Sequence, residues 1–256
     1  NLTVDFLNAQ GDQANLQTMV DQLAGQNDLN FAIATPAAQA LLNVDSETPA
    51  IFTAVTDPVS AGLVDSLETP GGNMTGSIDA TDVEGQVEML LKVVPEAKTV
   101  GIFYNSSEVN SEVQAKQAKE ALEAAGKTVV IKTVTSTNDV QQVMTSLAGQ
   151  VDAIYLPTDN TVASTAATIG EILMDKKVPA IGSDEAYLEA VLFTYGVDYH
   201  AIGVQAGELA VEVLQGKDPA DLSVKKPDTA AIAVNEEMAE ALGIDSASIE
   251  EDRKST

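Results

Sequence analysis

The sequence predicts an α/β fold built on doubly wound parallel sheets. Three observations point that way. Short runs rich in Val, Ile, Phe and Ala recur along the 256 residues, and amphipathic segments separate them. The runs are also near-continuously apolar, as in parallel strands covered on both faces. Such alternation implies right-handed crossovers.

Taken in order, the first strand is expected at Leu2–Leu7, where "LTVDFL" alternates apolar and polar residues. Asn15–Leu23 follows as a helix with Leu16, Met19, Val20 and Leu23 on one face. Strands at Phe31–Ala34, Ala50–Val55 and Asn73–Ile78 come next, and Val83–Val94 is a helix whose apolar face carries Val87, Leu90, Leu91 and Val94. A soft boundary falls at Pro95–Lys98, where one strand-helix series ends and another starts. The second series has strands at Thr99–Tyr104, Thr128–Val134, Asp152–Leu156, Val178–Ile181 and Val191–Val197. Val113–Ala125 and Ile202–Leu214 are helices, with Gly126 and Gly216 where C-terminal caps belong. Met74 and Met89 fit the core, and the polar tail Ser246–Thr256 is expected to fray.

Composition excludes several classes. No apolar run is long enough to span a membrane, and no signal segment is visible, since Asn1 leads directly into strand-like alternation; an exported protein would have lost its targeting segment from this chain. Lys and Arg total 13 against 39 Asp and Glu, for a formal charge of −26, and the only arginine is Arg253. Nucleic acid is therefore not an expected partner, because phosphate contacts need clustered cations. Without cysteine there are no disulfides, thiolate metal sites or cysteine nucleophiles. His200 is the only histidine, so a multi-histidine metal site cannot be assembled and a Ser-His-Asp triad would have to use that residue. No cofactor and no metal is expected.

Five strand exits are polar: Thr35-Pro36 after "FAIA", Thr56-Asp57-Pro58 after "IFTAV", Asn105-Ser106-Ser107 after "VGIFY", Thr158-Asp159-Asn160-Thr161 after "AIYLP", and Ser183-Asp184-Glu185 after "VPAIG". Each suits a helix cap, with Pro36 and Pro58 in first-turn positions. Ligands in doubly wound sheets also sit outside the carboxyl ends of the strands, and capping alone does not require a Thr-Asp pair at two exits. Helix amides and hydroxyls favour an anion; Asp57, Asp159 and Asp184 are acceptors suited to an ammonium. A site with both kinds of group fits a zwitterion such as a free amino acid. Neither a P-loop nor GxGxxG is present.

The stretches "NAQGDQANLQTMVDQLAGQNDLNFAIATPAAQAL", "FTAVTDPVSAGLV", "TPGGNMTGS", "IFYNSSEVNS", "VDAIYLPTDNTVAS", "YGVDYHAIGVQAGELAVEVLQG" and "AIAVNEEMAEALGI" resemble ABC-transporter substrate-binding proteins of the tryptophan-binding (TrpX-like) family. The resemblance covers nearly the whole chain in order. It implies a type 1 periplasmic-binding-protein fold, two α/β lobes joined by a three-stranded hinge with a ligand cleft between them. It also implies an aromatic amino acid ligand (Trp or Phe first), permease and ATPase partners, and an extracytoplasmic place, lipid-anchored or periplasmic. Family members begin with a further strand and helix before the segment matching "NLTVDFL"; their absence here implies a fragment and puts half of the pocket in question. The lobes are expected at 1–97 with about 198–217, and at 98–197 with about 218–245, leaving 246–256 as a tail.

Within this reading, Thr35, the amides of Ala37 and Ala38, and Thr56 are the candidates for a ligand carboxylate, faced by Ser106, Ser107 and Asn110 from the second lobe. Asp159 is the first candidate for the ammonium and Asp57 the second, with Thr158, Asn160, Ser183 and Asp184 alongside. Tyr195 and Asp198 stand at the last crossover, as hinge or ligand contacts, and His200 reads as structural or solvent-facing. An α/β enzyme using paired carboxylates, or the ligand-sensing domain of a regulator, are the alternatives; a binding protein accounts for the residues better than either.

Overall fold

The computed structural model describes residues 2–227, 230–247 and 249. The chain divides into two units, Asn1–Asp79 with Tyr199–Pro227 and Ala80–Asp198 with Asp228–Thr256, so it passes from one to the other after Asp79, Asp198 and Pro227.

In the first unit, α1 (Gln13–Leu23) starts from Asp12, whose carboxylate accepts from Asn15 N at 2.8 Å. Three parallel strands follow, β1 (Asn30–Ile33), β2 (Ala50–Val55) and β3 (Met74–Ile78), paired in that order. Between the first two lies α2 (Thr35–Val44), and the later α8 (Tyr199–Leu214) returns to pack Ala206, Leu209 and Val213 against Ile51. The β1 edge is open among the described residues: Phe31 and Ile33 are 43% and 56% exposed.

The strand expected at Leu2–Leu7 does not form. Residues 2–9 have no regular structure, and Leu2, Val4 and Phe6 are exposed. Alternation supplies a pattern but no partner, and a strand needs a neighbouring backbone to satisfy its N–H and C=O groups.

The second unit holds a six-stranded sheet in the order β5-β4-β6-β7-β8-β9. Its strands are β4 (Thr99–Asn105), β5 (Thr128–Val134), β6 (Ala153–Leu156), β7 (Ala180–Gly182), β8 (Phe193–Val197) and β9 (Ala230–Val234). All pair in parallel except β8 with β9, which is antiparallel. The sequence reading did not single out β9, whose Ala-rich "AAIAV" lacks a strong strand signature. β6 and β7 are buried throughout, which explains their unbroken apolar character. Helices α3 (Val83–Val93), α4 (Val109–Ala124), α5 (Val140–Ala148), α6 (Asn160–Ser164), α7 (Ala166–Lys176) and α9 (Glu236–Leu242) complete the unit. Met74 and Met89 are buried, and Gly126 and Gly216 adopt φ of 76° and 98° just beyond their helices, a left-handed conformation that favours glycine.

The unit boundaries differ from those expected. The first falls at 79/80 rather than 97/98, because α3 is anchored in the second unit: Gln86 Nε2 donates to Tyr195 O and Tyr155 OH donates to Gln86 Oε1 at 2.7 Å. Segment 218–227 stays with the first unit through Lys225 N to Gly76 O at 2.8 Å and Thr75 Oγ1 to Leu222 O at 2.6 Å. Of the tail expected to fray, Ile249 is buried in the second unit's core, while 248 and 250–256 lie outside the described residues.

Candidate functional site

In the first unit the carboxyl ends of β1 and β2 carry the polar groups. Ala34 leads from β1 into α2 at φ 77°, ψ 154°, a conformation almost confined to glycine, and provides no side-chain cap. Thr35 opens the helix, buried, with Pro36 in the first turn. Ala37 lies in that same turn, where amides have no intrahelical acceptor. The Ala38 amide does not belong with it: it donates to Ala34 O at 3.1 Å as the first rung of the helix, so it is removed from the carboxylate set.

A register shift between β2 and β3 puts Ala54 at φ 54° just before the strand ends. Bulges re-aim the residues that follow. Thr56 comes next, buried, and its Oγ1 has no hydrogen-bond partner among the described residues. Asp57 is engaged locally: Oδ1 accepts from Ser60 N at 2.9 Å and Oδ2 from Ser60 Oγ at 2.5 Å. Pro58 therefore enters an isolated turn, closed by Ala61 N to Asp57 O at 3.0 Å, and not a helix. A buried carboxylate of this unit, Asp79, escaped the sequence reading. Asp79 stands directly after β3 and accepts from Tyr199 OH at 3.1 Å, at a strand exit of the same kind as the five considered.

In the second unit the exits of β4, β6 and β7 form one network. Asn105 N donates to Asp159 Oδ2 at 2.7 Å, Asn105 Nδ2 to Thr161 Oγ1 at 2.8 Å, and Ser107 N to Asn105 Oδ1 at 2.8 Å. Asn110 Nδ2 and Ser111 Oγ both reach Thr158 O, at 2.8 and 2.9 Å. Thr158 N donates to Gln114 Oε1 at 2.6 Å, and the hydroxyls of Thr158 and Ser183 are 3.0 Å apart. Asn110, Thr158, Asp159, Asn160 and Ser183 are thus brought together by the fold. Ser106 and Ser107 remain exposed beside them, Ser106 N bonding to Val134 O at 3.0 Å. Asn110 Oδ1, by contrast, is buried with no partner among the described residues.

Asp159 is the N-cap of α6, and Oδ1 accepts from Val162 N at 2.8 Å. With Oδ2 taken by Asn105 N and only 1% of the residue exposed, its carboxylate serves the protein's own backbone. Burial pushes its carboxyl up to about 7, assisted by the nearby charge of Glu108 and opposed by the two amide hydrogen bonds. The ammonium role expected of Asp159 does not suit a carboxylate so enclosed. Asp184 likewise caps its own turn, accepting from Ala186 N at 2.8 Å. Tyr195 is half-buried, its hydroxyl pKa raised by burial and by Asp82, with its carbonyl held by Gln86; Asp198 and His200 are exposed.

A model of the ABC transporter substrate-binding protein family matches residues 1–250. The chain belongs to that family. A tyrosine-binding protein of Clostridioides difficile (strain R20291) is 39% identical over 244 residues, covering 94% of this chain and 71% of that protein. An ABC domain from Streptococcus pneumonia, crystallised in complex with L-Trp, is 40% identical with a TM-score of 0.92, covering 98% of this chain and 88% of that one. A conserved domain protein from Vibrio cholerae is 36% identical with a TM-score of 0.94, covering 98% and 86%. The fold of this family member is of the type 1 periplasmic-binding-protein kind, as the resemblance implied, and family members act outside the cytoplasm. No helix among its described residues is long and apolar enough to cross a membrane.

Sequence reasoning missed Glu108, Ser111, Gln114 and Tyr187. The Tyr187 hydroxyl lies 2.9 Å from both Pro157 O and Asp159 O, and also receives the Asp159 amide, so it fastens the β6 exit from beneath. Glu108 occupies the N-cap of α4 without capping it. That was the available signal: Glu is a poor choice where Ser, Thr, Asp or Asn is preferred.

Proposed function

We propose that this substrate-binding protein takes a free L-amino acid with an aromatic side chain, gripping its two charged ends with different chemistry. The observation that carries the reading is a buried acceptor of the second unit, Asn110 Oδ1, which has no hydrogen-bond partner among the described residues; the first unit, taken by itself, buries Thr56 Oγ1 in the same condition. A hydroxyl donates to a carboxylate; an amide oxygen only accepts, as an ammonium requires. Leaving such groups buried and unpaired costs about 1–3 kcal/mol each, a cost that a bound zwitterion removes. Thr35 and the Ala37 amide join Thr56 on the carboxylate side, and Ser106 and Ser107 stand by Asn110.

The aromatic preference is supported by the relatives that bind tyrosine and L-Trp, at 39% and 40% identity. The protein acts as a binder and not as an enzyme: its relatives are substrate-binding proteins, and its lone histidine sits exposed on α8. It delivers ligand to a permease and ATPase in the membrane, from the periplasm or from a lipid anchor at the cell surface.

Calorimetry of this chain against the twenty amino acids tests this. Heat is expected with Trp, Tyr or Phe and little with small or charged side chains. Silence with all twenty would sink the reading. Because the chain has no tryptophan, indole fluorescence also reports bound Trp without protein background.

A further inference from the structure

Glu108 is 3% exposed, and both its oxygens are fully engaged. Oε2 accepts from Asn160 N at 3.0 Å and Asn160 Nδ2 at 2.6 Å, while Oε1 accepts from Thr161 N at 3.1 Å and Thr161 Oγ1 at 3.2 Å. The proton positions follow from the inventory. Thr161 Oγ1 already accepts from Asn105 Nδ2, so its single proton points to Glu108. All four partners are donors, and only a carboxylate answers all four.

We propose that Glu108 is a positioning residue for ligand recognition. Its carboxylate binds the first turn of α4 to the exit of β6, and so holds the Asn110 amide where its free oxygen meets the ligand's ammonium. Asn110 lies two residues along α4, and its Nδ2 is locked on Thr158 O. Reversing the amide would set Oδ1 against that carbonyl, so Oδ1 is an obligate acceptor aimed away from it. The direction holds only while the β4 and β6 exits keep their spacing, and Glu108 makes four of the bonds that set it. The assignment rests on the zwitterion reading given above. The competing role, a staple that supports the fold alone, would act on every ligand equally.

The test separates the two. Wild type, Glu108→Gln and Thr161→Val are each titrated with whichever of L-Trp, L-Tyr and L-Phe binds best, and with its counterpart lacking the amino group: 3-indolepropionate, 3-(4-hydroxyphenyl)propionate or 3-phenylpropionate. Glutamine turns an N–H₂ against two donors whichever way it lies. Thr161→Val keeps the shape and removes one donor to Glu108, together with the acceptor of Asn105 Nδ2. Wild type is expected to prefer the amino acid by about 10- to 100-fold, the worth of one hydrogen bond to a charged group. The preference should fall to about threefold or less in Glu108→Gln and to an intermediate value in Thr161→Val. A preference equal to wild type in Glu108→Gln overturns the proposal whatever its melting temperature. If that variant does not fold, an unchanged preference in Thr161→Val overturns it instead. Wild type that binds none of the three amino acids withdraws the proposed function itself, and this assignment with it.

Discussion

On the proposed reading, Thr56 and Asn110 differ from a structural residue such as Asp159 at the scale of single atoms. The Thr56 hydroxyl is buried with no hydrogen-bond partner among the described residues, so on that reading it weakens the empty protein and strengthens the filled one. Thr56→Val is accordingly expected to stabilise the ligand-free protein by about 1 kcal/mol and to weaken amino acid binding by about 10-fold or more. Thermal melting and calorimetry check the two signs. Asp159 behaves in the opposite manner. Its folded pKa of about 7 stands above the ordinary 3.8, so the folded state holds the proton more tightly than the unfolded chain does. The stability this confers is complete below about pH 4 and is lost as pH rises towards 7. Asp159→Asn should abolish that slope, seen by comparing melting of the two proteins across the window. It should also cost about 1–3 kcal/mol at low pH, because an amide N–H₂ must face either Asn105 N or Val162 N. The sequence showed that "PTDN" was a place where polarity gathers. It did not show which way Asp159 turned, since that depends on Asn105, which lies 54 positions away in the sequence.

At the scale of elements, strand runs were legible because burial on both faces leaves an unbroken apolar signature, as in β2, β4 and β6. The weaker calls fell where an element's identity depends on its neighbours: the Leu2–Leu7 run, which finds no partner, and β9, which exists by pairing with β8. Two glycines test packing within one unit. A Cβ on Gly76 in β3 would sit 2.0 Å from Phe52 O, so Gly76→Ala should cost about 3 kcal/mol, at the upper end for overpacking. Gly207 in the middle of α8 has nothing within 4 Å, and Gly207→Ala should stabilise by about 0.5–1 kcal/mol through helix propensity. Urea midpoints give both values; equal effects would mean that the tight β2–β3 approach is absent.

At the scale of the whole molecule, the fold class was readable from the order of strand and helix runs along the chain, and the family from the resemblance of its stretches to known members. The unit boundaries were not, because a helix belongs to whichever sheet its buried side chains bond to, and Gln86 bonds to Tyr195. The same scale governs electrostatics. The ion pairs seen, such as Lys119–Glu123 at 3.6 Å, lie on the surface and do little to offset a charge of −26. Self-repulsion among these carboxylates destabilises the folded form, and salt screens it over a distance of about 8 Å at physiological ionic strength. The melting temperature should therefore rise between 10 mM and 300 mM NaCl. A flat response would mean that the acidic residues are spaced too widely to matter.

The open edge of β1 gives that same salt a second effect, felt in the flask. Phe31 and Ile33 lie along a strand edge that has no neighbouring strand among the described residues, and such an edge is a template for another chain. At low salt, two molecules each carrying −26 repel before their edges can meet. Added salt thins that barrier. Shelf life and melting temperature should then move in opposite directions: the conditions that make each molecule hardest to unfold are those in which a concentrated stock clouds first.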